Sequence, residues 1–192
     1  TSSAACIPMR ERGRLLGIVG LVALVALVLG AVYLIKGNPS AATEEPVAAM
    51  EAPKVGSAAP GFKAMDIDGE PVSLEDYRGR PVWLLFQATW CSICRAELPD
   101  VEEAADDIDI VAIYLREDRG LVTDYAERLD LTIRNVPDPI GEISLRYLAN
   151  SVPTHYFIDA EGNVASILKG AVSAEEIAAQ LDLVGAGAGA EG

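Results

Sequence analysis

The chain has 192 residues, 15 Lys plus Arg against 29 Asp plus Glu, and a net charge of −14. That length fits one domain with appendages, and the acidity excludes a phosphate-tracking nucleic-acid binder, which needs a basic face. Three cysteines are too few for a small disulfide scaffold, and a hydrophobic fraction of 51% excludes a disordered chain.

In chain order, residues 1–14 read as a short cytoplasmic segment whose Cys6 is an incidental thiol. Leu15 to Ile35 is an uncharged, proline-free run of 21 residues. As a helix it would be about 31 Å long, enough to span a bilayer. Arg10, Arg12 and Arg14 precede it and only Lys36 follows, so the positive-inside rule places the N-terminus in the cytoplasm and the remainder outside. The run exceeds the apolar core of a cleavable signal peptide and reads as an uncleaved transmembrane anchor. Residues 36–55, rich in Ala, Pro and Glu, read as a flexible tether, and 185–192 as a Gly/Ala-rich tail.

The domain occupies 56–184. It contains 10 Lys plus Arg and 24 Asp plus Glu, so it carries the whole net charge. Phe62 to Met65 and Pro71 to Leu74 flank Asp68-Gly69, which predicts a hairpin. Leu74 to Tyr77 predicts a short helical turn. Val82 to Phe86 is a continuous apolar run of strand length, suited to a central strand covered on both faces. A helix is expected from about Cys91 to Asp107 with Pro99 as a kink, then an apolar strand over Asp109 to Leu115. Helical spacing recurs over Leu121 to Leu129 and Ile140 to Ala149. Asn135 to Ile140, with Pro137 and Pro139, reads as a stretch made rigid by its two prolines. Strands at Thr154 to Ile158 and Val164 to Leu168 follow, then a helix from about Ser173 to Leu183, with Ser173 and Glu176 forming a capping box. This order predicts an α/β architecture, a mixed central sheet with helices on both faces.

The chemistry gathers where the central strand ends: Thr89-Trp90-Cys91-Ser92-Ile93-Cys94-Arg95-Ala96-Glu97. Two cysteines at i and i+3 lie at the start of a helix, where unpaired N–H groups and the positive end of the helix dipole favour a thiolate. That spacing puts both sulfurs on one face of the turn, within reach of a disulfide. A structural zinc site would need four ligands, and His155 is the only histidine in the chain. A purely structural disulfide would close too short a loop to restrain the unfolded chain much. A redox-active pair is the favoured reading. The peroxiredoxin spacing, with Pro seven and Thr or Ser three residues before the cysteine, is absent: Leu84 and Ala88 hold those places before Cys91, Gln87 and Cys91 before Cys94.

Residues 56 to 184 resemble a thioredoxin-fold domain of the TlpA/ResA type, a group of membrane-anchored extracytoplasmic thiol:disulfide oxidoreductases that includes cytochrome c maturation proteins. The resemblance rests on Ala59-Pro60-Gly61-Phe62, Asp68-Gly69, Ala88 to Pro99, Val152-Pro153-Thr154 and Tyr156 to Asp159, and it extends to the N-terminal anchor. It implies that Cys91 is the exposed nucleophile and Cys94 the buried resolving thiol, the two forming a redox-active disulfide. It also implies that Pro153 is a cis-proline whose loop, with Val152 and Thr154, meets the partner, and that Glu97 exchanges protons beside Cys94. Trp90 is expected to contact partners from an exposed loop, and His155 to be a packing residue. The buried Asp that thioredoxins carry six residues before the first cysteine is replaced by Leu85, which leaves Glu97 as the nearest base. Gln87 stands where an aromatic is common and suggests a polar surface beside Trp90. The implied activity needs no cofactor and no metal. It needs client thiols or disulfides, such as an apocytochrome c or a copper-site protein, and a membrane dithiol as electron donor. A disulfide-forming oxidant and a non-catalytic accessory subunit of a larger membrane complex are the alternatives.

Overall fold

A computed structural model describes residues 9–35 and 52–185, with side chains in the first helix described only from 18 to 32. The expected segment 1–8 with Cys6, the tether over 36–51 and the tail from 186 lie outside the described residues. Contacts divide the chain into two units, Thr1–Ala49 and Met50–Gly192. In the first, α1 runs Met9–Ile35. Its large apolar side chains between Ile18 and Val32 are exposed. Among the described residues, no helix is long and apolar enough to cross a membrane. The run 15–35 expected to do so is described at side-chain level only in its middle.

The second unit opens with β1 (Lys63–Met65) and β2 (Pro71–Ser73), an antiparallel hairpin closed by Gly69 at φ 87°. A 3₁₀ turn over Leu74–Tyr77 follows, as the sequence predicts. A five-stranded sheet has the order β5-β4-β3-β6-β7, formed by β3 (Val82–Gln87), β4 (Asp109–Leu115), β5 (Arg134–Asp138), β6 (Thr154–Ile158) and β7 (Val164–Lys169). β3, β4 and β5 are parallel, and β6 and β7 run antiparallel. β3 is buried at every residue, which its unbroken apolar run requires of a central strand.

The helices are α2 (Ser92–Ala104), α3 (Arg119–Arg128), α4 (Glu142–Arg146) and α5 (Ala174–Val184). Alternation along the strands divides the core into two layers. Val82, Leu84, Phe86 and Tyr156 pack under the hairpin, the 3₁₀ turn and α4. Trp83, Leu85, Ala112 and Phe157 pack under α2, α3 and α5.

Three expectations are corrected. The proline-bearing stretch from Asn135, expected only to be rigid, contains a strand the pattern did not show: residues 134–138 form the edge strand β5. The Asn135 carbonyl points outward to the Ile67 N–H at 3.0 Å. Pro137, two residues on, shares that direction, so its missing N–H takes no bond from β4. The helix expected over Ile140 to Ala149 shrinks to α4, bounded by Gly141 at φ 74° and Leu148 at φ 47°. The helix expected from Cys91 begins one residue later, because Cys91 is its N-cap, and it ends at Ala104. The capping box of α5 forms as expected, Ser173 Oγ accepting from Glu176 N–H and the Glu176 carboxylate from Ser173 N–H.

Candidate functional site

The end of β3 and the first turn of α2 build the site. Cys91 and Cys94 are joined by a disulfide with Cα atoms 5.3 Å apart. Cys91 Sγ occupies the N-cap position and accepts the Cys94 N–H at 3.1 Å, where the helix dipole stabilises negative charge on sulfur. Cys94 is 0% exposed and Cys91 7%, so the nucleophile expected to be exposed is nearly covered in the oxidised protein, although it remains the more accessible sulfur. Trp90 beside it is 72% exposed and Ile93 56%, an apolar rim around the disulfide.

The Val152–Pro153 bond is cis. Val152 packs on Ala88, Cys91 and Cys94, which brings the cis-proline loop against the disulfide. Thr154, expected to meet the partner, is fully buried and its hydroxyl donates to Ser151 O at 2.8 Å, so it presents no surface to a partner in the oxidised protein. Gln87 is not part of a polar surface beside Trp90. As the last residue of β3 it is fully buried, and neither side-chain polar atom has a partner.

Glu97 lies on the inner side of α2, only 3% exposed, unlike a solvated helix-face carboxylate. Its Oε2 accepts Val172 N–H at 3.1 Å, and Oε1 has no partner. Desolvation pushes its pKa up to about 7, the Val172 N–H opposing and nearby Asp100 adding to the rise. Glu97 lines a groove of about 320 Å³ with Ser92, Ile93, Ala96, Asp100, Ala171 and Val172, next to the disulfide. A carboxyl that titrates near neutrality can take or give a proton at working pH.

Two residues escape the sequence reading. Glu117 follows the end of β4 and accepts both Thr89 N–H at 2.9 Å and Thr89 Oγ–H at 2.8 Å, anchoring the loop before Cys91. Its signal was its place: the C-terminal ends of parallel neighbours β3 and β4 lie side by side, where such sheets gather their functional loops. His155, expected to be simple packing, is fully buried, and its ring lies against Trp83 with centroids 5.6 Å apart. Its Nε2 is 3.0 Å from Gly170 O and 3.8 Å from Glu97 Oε2. A carbonyl only accepts, so Nε2 carries the proton. Burial lowers the His155 pKa to about 4, so the ring is neutral at pH 7 and the Glu97 contact, though within ion-pair distance, is not an ion pair there. Among the described residues no cluster of His, Cys, Asp or Glu is arranged to hold a metal.

Comparison with known proteins agrees with this geometry. The AhpC/TSA family pattern matches residues 55–167. Thiol-disulfide oxidoreductase ResA of Geobacillus thermodenitrificans is 34% identical over 135 residues, covering 68% of this chain and 78% of the relative. A putative thiol:disulfide interchange protein DsbE from Chlorobium tepidum superposes with a TM-score of 0.64 at 26% identity, over 70% of this chain and 99% of that one. A secreted Mycobacterium tuberculosis disulfide oxidoreductase described as homologous to E. coli DsbE superposes with a TM-score of 0.58 at 27% identity, over 63% of this chain and 94% of that one. With its Cys91–Cys94 pair on a thioredoxin-like fold, the chain belongs to the AhpC/TSA family and is a thiol-disulfide oxidoreductase of the ResA/DsbE type.

Proposed function

We propose that this oxidoreductase is a membrane-tethered reductase working outside the cytoplasm. In the reduced protein the Cys91 thiolate attacks a client disulfide and forms a mixed disulfide. Cys94 then attacks Cys91, releasing the client thiol and re-forming the Cys91–Cys94 bond. Glu97 accepts the Cys94 proton in that second step. Trp90, Val152 and the backbone around cis-Pro153 meet the client strand. The observation that carries this reading is the arrangement of one thiol at the helix N-cap, one wholly buried behind it, and a buried carboxyl of near-neutral pKa on the same helix.

The two site cysteines are the only ones in the domain, so each cycle needs an outside dithiol to restore them. A membrane dithiol carrier suits a protein tethered to the same bilayer. The tether itself is supported by the uncharged run 15–35, its helical backbone and the exposed apolar side chains of α1. The arginines ahead of it and the secreted mycobacterial relative support an extracytoplasmic domain. The resemblance to cytochrome c maturation proteins makes apocytochrome c or a copper-site protein the client class.

The test is the equilibrium potential of the Cys91–Cys94 pair, titrated against dithiothreitol and glutathione buffers. A reductase is expected at or below about −250 mV. A value between about −120 and −180 mV would overturn the direction and make the protein a disulfide-forming oxidant.

A further inference from the structure

His155 is bonded into the site rather than merely packed beneath it. Gly170 N–H donates to Pro153 O at 3.0 Å, and Gly170 O accepts from His155 Nε2–H at 3.0 Å. Two residues further, Val172 N–H donates to Glu97 Oε2 at 3.1 Å. The strap from Gly170 to Val172, which leaves β7 with Gly170 at φ 88°, therefore ties the cis-proline loop, His155 and Glu97 together. The same Nε2–H sits 3.8 Å from Glu97 Oε2. His155 pairs with Leu85 across β3 and with Leu168 across β7, both neutral, and Trp83 lies against its ring. The charged groups acting on the His155–Glu97 pair are Asp100 on α2, beside Glu97, and Glu176 on α5, beside His155.

We propose that His155 is a positioning residue for Glu97: its Nε2–H holds the strap that presents Val172 N–H and adds a second dipole beside Oε2, setting the pH at which Glu97 can take the Cys94 proton. This rests on the reading of Glu97 as that proton's acceptor. In the step it serves, the Cys94 S–H proton passes to the Glu97 carboxylate. The freed sulfur electron pair forms the bond to Cys91 Sγ while the Cys91–client S–S bond breaks. The client sulfur leaves as a thiolate and is protonated from water, so both site sulfurs are oxidised and the client sulfurs reduced. Glu97 then returns its proton to water through the groove it lines with Ser92 and Asp100. A neutral N–H dipole favours the carboxylate, and an apolar ring in its place favours the acid, so losing His155 raises the Glu97 pKa and leaves less base at neutral pH.

The experiment uses the full chain in detergent. The Glu97 carboxyl is followed by carbon-13 NMR, assigned by its loss in Glu97→Gln, alongside the pH profile of disulfide reduction. In His155→Phe, which keeps an aromatic ring against Trp83, the Glu97 midpoint is expected to rise by about half to one unit, a roughly three- to tenfold change in its ionisation constant. The activity profile should move with it. His155→Gln, which keeps an N–H donor, should return both towards wild type. A wild-type measurement needs no variant to fold: His155 is the only histidine, so its single Nε2–H signal should shift with the Glu97 midpoint. A Glu97 midpoint unmoved by His155→Phe, or a wild-type imidazole signal that ignores Glu97, overturns the role of His155 while leaving Glu97 as acceptor. If Glu97→Gln keeps the wild-type activity profile, the acceptor reading fails, and this inference with it.

Discussion

The two faces of the central sheet are built to different standards. On the face under the hairpin and α4, buried polar groups are paired: Tyr156 Oη–H donates to Tyr147 O at 2.7 Å and Tyr147 Oη–H to Pro60 O at 2.8 Å. There Asp138 also accepts from Ile143 N–H, Ser144 N–H and Ser144 Oγ–H. On the face under α2, α3 and α5, unpartnered buried atoms accumulate at Trp83, Gln87, Glu97, Tyr125, His155 and Gln180. Leaving a buried polar group unpaired costs about 1–3 kcal/mol, so a fold tolerates several together only where they are used. The first face is scaffold, and the second carries the chemistry.

The sharpest test of this contrast lies at the sulfurs. Cys91→Ser and Cys94→Ser should each abolish turnover in an insulin-reduction assay. Only Cys94→Ser should hold a client as a stable mixed disulfide visible by mass spectrometry. If Cys91→Ser trapped it instead, the assignment of nucleophile and resolving thiol would be reversed.

Next in size is the pH dependence of stability. Glu97 is raised from 4.5 to about 7 in the folded chain, so its contribution is fully present below pH 4.5 and is lost as pH rises to about 7. At roughly 1.4 kcal/mol per unit this amounts to something on the order of 3 kcal/mol. His155, lowered from 6.5 to about 4, acts in the opposite sense: its contribution is present above pH 6.5 and is lost as pH falls towards 4. In Glu97→Gln the decline between pH 4.5 and 7 should vanish, leaving only the acid-side loss. Urea melts across pH 4 to 8 measure it, and an unchanged profile would mean that Glu97 is solvated in the folded protein.

Smaller effects separate the two faces directly. Gln87→Leu removes an unpartnered amide and should stabilise the domain by about 1–2 kcal/mol. Tyr156→Phe on the paired face strips the donor from Tyr147 O and should destabilise it by about 1 kcal/mol. Thermal melts giving the same sign for both would dissolve the contrast. The smallest expected change is Glu117→Gln: it keeps an acceptor for Thr89 N–H but weakens a charge-assisted bond by under about 1 kcal/mol, read as faster hydrogen exchange at Thr89.

Much of this was legible in the chain because its signals are local. The cysteine pair at a strand-to-helix junction, the apolar runs of β3 and β4, the Asp68-Gly69 hairpin and the Ser173–Glu176 capping box each depend on residues a few positions apart, and each sits where the pattern placed it. What escaped depends on partners distant in sequence. The strand around Pro137 went unread because only the sheet order places β5 at an edge, where a proline's missing N–H costs no ladder bond. Gln87 looked exposed until the sheet set it beside buried Tyr114 of β4, on the face it shares with Trp83 and Leu85.

The sequence by itself determined which atoms do the chemistry and that they sit at a helix N-terminus, because spacing and backbone geometry there are set within one turn. Only the tertiary structure decided how those atoms are tuned. Whether Glu97 is desolvated, and whether His155 faces it, follows from β6, the strap after β7 and α2 converging on one place. Solvent exclusion is a property of that convergence, and no single segment contains it.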